Sequence, residues 1–282
     1  MSGTLYLVPT PIGNLSDISD RCRDTLRSVD FIAAEDTRVT LRLLNHLQIK
    51  KPLVSYYEHN KEISGPKIVE RLCSGESCAL VTDAGSPAIS DPGEDLVCLC
   101  AQAGVPVTAI PGPCAAVTAL SVSALPTGRF TFEGFLSTAK KSRFAHLDSL
   151  RAEKRTMIFY EAPHKLAGTL ADLAQVFGGQ RRICLCRELT KLHEEVLRMT
   201  LAEAVAYHET RAPRGEYVLI VEGAPDTPQP AATLEQALAQ VQSLISDGYS
   251  KKDAVRQAAA ETGFPKNELY GAVLKKETNG HS

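Results

Sequence analysis

Several common protein classes are excluded by what this chain lacks. No run of about 18 apolar residues occurs, the length a helix needs to cross a bilayer, so no membrane span is expected. The N-terminus MSGTLYLVPTP has neither the basic segment nor the long apolar core of a secretory signal, which makes the cytoplasm the expected location. Charge of one sign is also missing: 31 Lys and Arg stand against 33 Asp and Glu, a net of −2. A nucleic-acid surface would therefore have to be local. The cysteines, Cys22, Cys73, Cys78, Cys98, Cys100, Cys114, Cys184 and Cys186, include no C-x-x-C pair and complete no zinc pattern with histidine. Reduced, mostly buried thiols and no metal site are expected. G-x-G-x-x-G after the first strand and G-x-x-x-x-G-K-[ST] are both absent, so the usual dinucleotide and triphosphate loops are missing. No internal repeat or low-complexity segment occurs.

What is present is alternation. Leu5–Val8, Phe31–Ala34, Leu53–Tyr56, Cys78–Thr82 and Val105–Ile110 read as short strands separated by amphipathic helical stretches. That spacing predicts a mainly parallel sheet with helices on both faces over residues 1–125. Residues 126–223 carry TFEGFL, TMIFYE, RICLCREL, EEVLRMT and EYVLIVEG, several in succession without a long helix, which predicts a mixed sheet. Residues 224–232 resemble a Pro/Ala linker, and 233–282 predict three short helices, with Ser250 and Pro265 at helix starts and Gly248 and Gly263 at helix ends.

Ligands of open α/β sheets bind beyond the carboxyl ends of the strands. The segments there are Pro9–Asn14, Glu35–Arg38, Tyr57–Asn60, TDAGSPAISDPG (82–93), Pro111–Pro113 and, in the second half, Tyr160–His164. TDAGSPAISDPG has two prolines, two aspartates and no Lys or Arg, which argues against a phosphate cradle. Proline fixes φ and removes an N–H donor, so such loops suit a folded, partly apolar ligand. S-adenosylmethionine fits, because its cationic sulfonium favours carbonyl and carboxylate surroundings.

VPTPIGNLSDIS, AEDTR, YYEHN, TDAGSPAISDPG, IPGP, EAPHK, RELTK and GEYVLIV occur in this order over residues 4–223. Together they resemble the tetrapyrrole methylase superfamily, in particular its small-subunit rRNA methyltransferases. The resemblance implies two α/β domains with S-adenosylmethionine in the cleft between them, a small helical C-terminal domain and a homodimer. It implies methyl transfer to the ribose 2′-oxygen of a decoding-centre cytidine in 16S rRNA. By the same resemblance, cofactor contacts fall on Pro11, Ile12, Gly13, Ala84, Gly85, Ser86, Ile89, Cys114, Ala115 and Glu161. Cys114, Ser86, Lys165 and Ser137 depart from the residues usual at their places.

A ribose hydroxyl needs alignment and a proton acceptor. Glu35, Asp36, Arg38 and His59 are the catalytic candidates, with Glu35 or His59 as acceptor, Arg38 as a phosphate partner, and Asp36 or Thr37 equally suited to capping a helix. Candidate RNA contacts are Asn60, His164, Arg187 and Lys191, together with Lys140, Lys141 and Arg143 of the basic run KKSRFAHLDSLRAEKR (140–155). A second basic segment spans 250–276, where helix–turn–helix spacing suggests nucleic-acid docking. Three rival readings stay open. One is a corrinoid methylase of the same superfamily; another is a ligand-sensing DNA-binding regulator; the third is a nicotinamide oxidoreductase, disfavoured by PTPIGN.

Overall fold

The computed structural model describes residues 2–225, 234–246, 249–262 and 264–278. The first half is β1 (Leu5–Leu7), α1 (Asp20–Ser28), β2 (Phe31–Ala34), α2 (Thr37–His46), β3 (Leu53–Ser55), α3 (Lys61–Cys73), β4 (Cys78–Val81), α4 (Gly93–Gln102), β5 (Val107–Ala109) and α5 (Ala115–Val122). Its strands form one parallel sheet in the order β3-β2-β4-β1-β5. The alternation of side chains along β2 and β4 sorts the helices. Ile32, Ala34, Ala79 and Val81 pack with Cys22, Leu26 and Leu44 of α1 and α2. Phe31, Ala33, Cys78 and Leu80 pack on the other face with Ile68, Leu72, Leu96 and Cys100 of α3 and α4. Neighbouring strands β1 and β4 therefore send their chains to opposite faces. Between their carboxyl ends this opens the crevice in which an α/β sheet holds ligands.

The second half is β6 (Phe130–Phe135), α6 (Lys140–Ser149), β7 (Thr156–Glu161), α7 (Pro163–Phe177), β8 (Arg182–Arg187), β9 (Glu195–Thr200), α8 (Leu201–Glu209) and β10 (Tyr217–Val221). The sheet is mixed, as expected: β6 and β7 are parallel, and the remaining pairs in the order β6-β7-β10-β8-β9 are antiparallel. Leu147, Leu166, Leu170, Leu173 and Leu201 bury one face against Met157, Phe159, Leu185 and Leu219. The opposite face carries Ile158, Cys184, Cys186, Val218 and Ile220. It is covered by Ala116, Ala119 and Leu120 of α5, a helix that follows the last strand of the first sheet. That packing fastens the two halves together, and residues 1–224 form one compact unit.

Residues 225–282 form a second unit. It contains α9 (Leu234–Ser246), α10 (Lys251–Thr262) and α11 (Lys266–Thr278), three helices at the expected places. Their core is Ala237, Val241, Leu244, Ala254, Val255, Ala258, Leu269 and Val273. Ser250 accepts a hydrogen bond from the Asp253 N–H at the start of α10, the cap anticipated for it. Most of the linker expected at 224–232, and Gly248 and Gly263, lie outside the described residues.

Candidate active site

The loop between β4 and α4 is held by its own carboxylate. Asp91 Oδ1 accepts hydrogen bonds from Ala88 N–H (3.0 Å) and Gly93 N–H (2.8 Å), and Oδ2 accepts one from Ile89 N–H (3.3 Å). Ala88 and Ser90 are thereby fixed at φ of 65° and 68°, in the left-handed region that non-glycine residues rarely enter. Gly85 (φ 87°) pairs with Thr10 of the loop after β1 through two backbone hydrogen bonds of 2.9 and 3.0 Å. Ser86 Oγ donates to the Pro113 carbonyl at 2.9 Å, tying in the loop after β5. TDAGSPAISDPG is therefore a rigid junction between three strand ends.

This junction faces a cavity of about 540 Å3, within the usual range for small-molecule sites. The first half contributes Ile12, Glu35, Thr82–Ser86, Ile89–Asp91, Cys114 and Ala115. The second half contributes Phe135, Tyr160–Pro163, Cys186, Glu188, Leu189, Lys191 and Glu216–Val218. Glu216 and Tyr217 stand at the start of a strand, not at its end. They reach the cavity because β10 runs antiparallel to its neighbours, so that Tyr217 pairs with both Glu161 and Arg187, the last residues of β7 and β8.

Six lining residues are carboxylates and Lys191 is the single lining ammonium. Its Nζ lies 2.9 Å from Glu188 Oε1 and 3.1 Å from Glu216 Oε2. Partial burial works against its charge, but the two glutamates outweigh burial and raise its pKa. Glu35 Oε2 accepts a 2.6 Å hydrogen bond from Thr82 Oγ1, while its Oε1 makes no hydrogen bond among the described residues. Asp83 Oδ1 accepts from Asp36 N–H at 3.1 Å. Partial desolvation, then the neighbouring Glu35 charge, raise the Asp83 pKa. Glu161 is buried but satisfied: Oε1 accepts from Ala162 N–H (2.9 Å) and Oε2 from Thr169 Oγ1 (2.5 Å), which offsets the cost of burying a carboxylate. Tyr160 Oη accepts the Ala116 N–H in the first turn of α5 (3.2 Å). Burial and then the nearby Cys114 push its pKa up to about 12, so the phenol stays protonated and its O–H remains a donor. An acidic, partly apolar cavity with oriented hydroxyls suits a cationic ligand and repels a phosphate-rich one.

A family model described as tetrapyrrole (corrin/porphyrin) methylases matches residues 4–205. The chain belongs to this family. It is 46% identical over 278 residues to ribosomal RNA small subunit methyltransferase I of Synechocystis sp., covering 99% of this chain and 100% of that protein. It is 47% identical over 280 residues to the protein of that name from Bacillus subtilis, covering 98% and 95%. Among solved structures, a uroporphyrin-III C-methyltransferase from Thermus thermophilus superposes with a TM-score of 0.56 at 19% identity, covering 78% of this chain and 94% of that one. A diphthine synthase superposes with a TM-score of 0.60 at 14% identity, covering 78% and 90%. These two likenesses establish the methylase fold.

Within this methylase, eight residues anticipated as cofactor contacts line the cavity: Ile12, Ala84, Gly85, Ser86, Ile89, Cys114, Ala115 and Glu161. Gly85 lines it with its N–H and C=O already spent on Thr10, so it contributes shape and not a donor. Pro11 lines a separate, smaller cavity. Gly13 packs beneath the loop after β8: a Cβ there would lie 2.5 Å from Lys191 Cγ, 2.8 Å from Thr190 Oγ1 and 2.9 Å from the Leu189 carbonyl.

Of the catalytic candidates, only Glu35 faces the main cavity. Asp36 caps α2 by accepting from Arg38 N–H (2.8 Å) and pairs with the Arg38 guanidinium at 2.6 Å, which holds its carboxyl well below the usual range. His59 is exposed and meets Tyr57 edge-on, outside the cavity. Asn60 is spent on its own turn, accepting from Tyr57 N–H and donating to the Ser55 carbonyl.

Of the RNA candidates, Lys191 lines the cavity; Arg187 instead pairs with Glu195 at 3.0 Å, and His164 is exposed in the first turn of α7. In the basic run, Arg143 is committed to Asp172 (2.7 Å) and to the carbonyls of Ser137 and Thr138, so it braces the β6–α6 connection. Arg151 and Arg155 pair with Asp148 and Glu153. Lys140 lies over the Phe144 ring, and Lys141 is exposed. Much of the run is thus a salt-bridged surface. Cavity residues that sequence reasoning did not name as site members include Thr82, Phe135, Tyr160, Glu216 and Tyr217, which lie within or beside segments quoted above. Antiparallel β10 hid two of them.

Proposed function

We propose that this chain transfers a methyl group from S-adenosylmethionine to the ribose 2′-oxygen of a decoding-centre cytidine of 16S rRNA, position 1402 in the standard numbering of that RNA. The observation that carries this reading is the acidic cavity at the strand ends, with its single neutralised lysine, in a chain of this methylase family. The near-full-length likeness to rRNA small subunit methyltransferases supports rRNA as the substrate class. Bound there, S-adenosylmethionine supplies an activated methyl group on a cationic sulfur.

The chain's own groups divide the remaining work. Ala84, Ser86, Ile89, Cys114 and Ala115 form the wall that the junction loop and the start of α5 hold rigid. Glu161 contributes fixed negative charge near the cation, and the Tyr160 hydroxyl contributes a donor. A neutral ribose hydroxyl is a weak nucleophile, so its proton must have somewhere to go. Glu35 accepts it: Thr82 orients one carboxylate oxygen and leaves the other open. With S-adenosylmethionine bound, transfer of its methyl group to the hydroxyl oxygen would leave the electron pair of the broken carbon–sulfur bond on sulfur and release the hydroxyl proton, which Glu35 would take. The Glu188–Lys191–Glu216 cluster braces the cavity wall on the side of Gly13.

The working form in this reading is a cytoplasmic homodimer. Phe130, Phe132 and Phe135 of edge strand β6, and Val117 of α5, are exposed apolar side chains, and in this reading a second copy covers them. Sedimentation of the purified chain checks that state, and a monomer at all concentrations sinks it. The activity is tested with purified protein, methyl-labelled S-adenosylmethionine and small ribosomal subunits from cells lacking this protein. Label in ribose of the small-subunit rRNA is expected; none in that RNA refutes the reading.

A further inference from the structure

A second cavity, of about 220 Å3, lies on the first half against the same strand ends. One wall is the loop after β1, with Pro11 and Leu15; the other is one face of α2. On that face Val39, Arg42, Leu43 and His46 recur at spacings of three and four, which stacks them along one helical stripe. Arg38, one turn before Arg42, is neutralised by Asp36 and does not line this cavity.

Thr82 and Asp83 line this cavity as well as the main one, so these two residues are the wall the two sites share. Asp83 is the one acidic residue among those lining the groove, and it is engaged by Asp36 N–H. Arg23, Arg27 and Arg38 each pair with an aspartate, whereas Arg42 has no carboxylate partner among the described residues. Leu15, 45% exposed, leaves an apolar side chain open to solvent beside it. His46 sits in the last turn of α2, where a cation is favoured by the helix dipole in any case; Arg42 therefore carries the argument. An unpaired guanidinium above an apolar ledge, in a groove that shares Thr82 and Asp83 with the main cavity, has the chemistry to hold a phosphate and the base next to it.

We propose that this groove binds the single-stranded rRNA immediately flanking the target nucleotide, with a phosphate on Arg42 and a base against Leu15, Val39 and Leu43. It rests on the rRNA reading above. The test compares Arg42→Glu with Arg21→Glu, an equal charge change on exposed α1 outside the groove, in steady-state methylation of unmethylated small subunits and in binding of protein-free 16S rRNA. The expected result for Arg42→Glu is a KM for subunits raised about 10-fold or more, weaker RNA binding and an unchanged S-adenosylmethionine Kd, with Arg21→Glu near wild type. Equal behaviour of the two variants, whether both normal or both impaired, overturns the proposal. So does a loss in cofactor affinity matching the loss in subunit affinity. A loss seen with subunits and absent with protein-free RNA overturns it too, and assigns the groove to a ribosomal protein. If wild type labels no small-subunit rRNA, the functional reading itself has failed, a result distinct from all of these.

Discussion

At the scale of single residues, two carboxylates in similar loops do opposite things. Glu35 has one oxygen oriented by Thr82 and the other open to the cavity. Glu35→Gln keeps shape and hydrogen bonding but removes the proton acceptor. General-base catalysis contributes roughly 10²–10⁴-fold; kcat for methyl transfer is expected to fall by about 100-fold or more, with cofactor Kd within a few-fold. Single-turnover methylation and calorimetric cofactor titration measure the two, and an unaltered kcat removes Glu35 from the reaction. Asp91 faces the same cavity but is spent on three backbone amides. Asp91→Ala leaves the left-handed residues Ala88 and Ser90 without their brace. Hydrogen bonds to a charged group are worth about 1.5–3 kcal/mol. The variant should lose about that much stability in thermal unfolding and bind cofactor more weakly, with any bound fraction still active. Normal stability would mean the loop is braced by something else.

At the scale of elements, the parallel half was legible and the mixed half only partly so. Strand runs, a helix start at Asp36 or Thr37 (Asp36 is the cap) and the strand-end loops could be placed because each is a local pattern. Strand order β3-β2-β4-β1-β5 has no local signature, and neither has the docking of α5 onto the second sheet. The strand-end rule failed at β10 for a geometric reason: in an antiparallel neighbour, the start of the strand arrives where the other strands end. Side-chain commitments were equally hidden. Nothing in AEDTR or in the basic run tells which cation is already paired, and Asp36, Asn60 and Arg143 turned out to be capping and bracing groups. Gly13 marks the contact between elements of the two halves. Gly13→Ala forces a Cβ onto the Leu189 carbonyl and Thr190 Oγ1. Overpacking of this kind costs about 1–3 kcal/mol, and because it falls on the cavity wall, KM for S-adenosylmethionine is expected to rise more than kcat falls. Wild-type KM would show that the loops tolerate separation.

At the scale of the whole molecule, buried Tyr56 and half-buried Tyr160, one in each half, contribute to the loss of stability in alkali. Burial pushes Tyr56 and Tyr160 up to about 12. A folded pKa above the unfolded value of about 10 contributes stability that is complete below that pH and is lost as pH rises toward the folded value. The contribution of these two tyrosines to stability should therefore be lost between about pH 10 and pH 12. Tyr160→Phe should show a shallower fall over that window in denaturant titrations; an identical slope would contradict the assignment.

Methylation of one ribose of the small-subunit rRNA at the acidic cleft is the function proposed for this chain. Its most direct test maps 2′-O-methyl groups across that RNA from cells lacking this protein, and from the same cells supplied with wild type or Glu35→Gln. Without the protein, one decoding-centre cytidine is expected to lose its ribose methyl group; wild type restores it and Glu35→Gln does not. Retention of every ribose methyl group in the absence of the protein would contradict it.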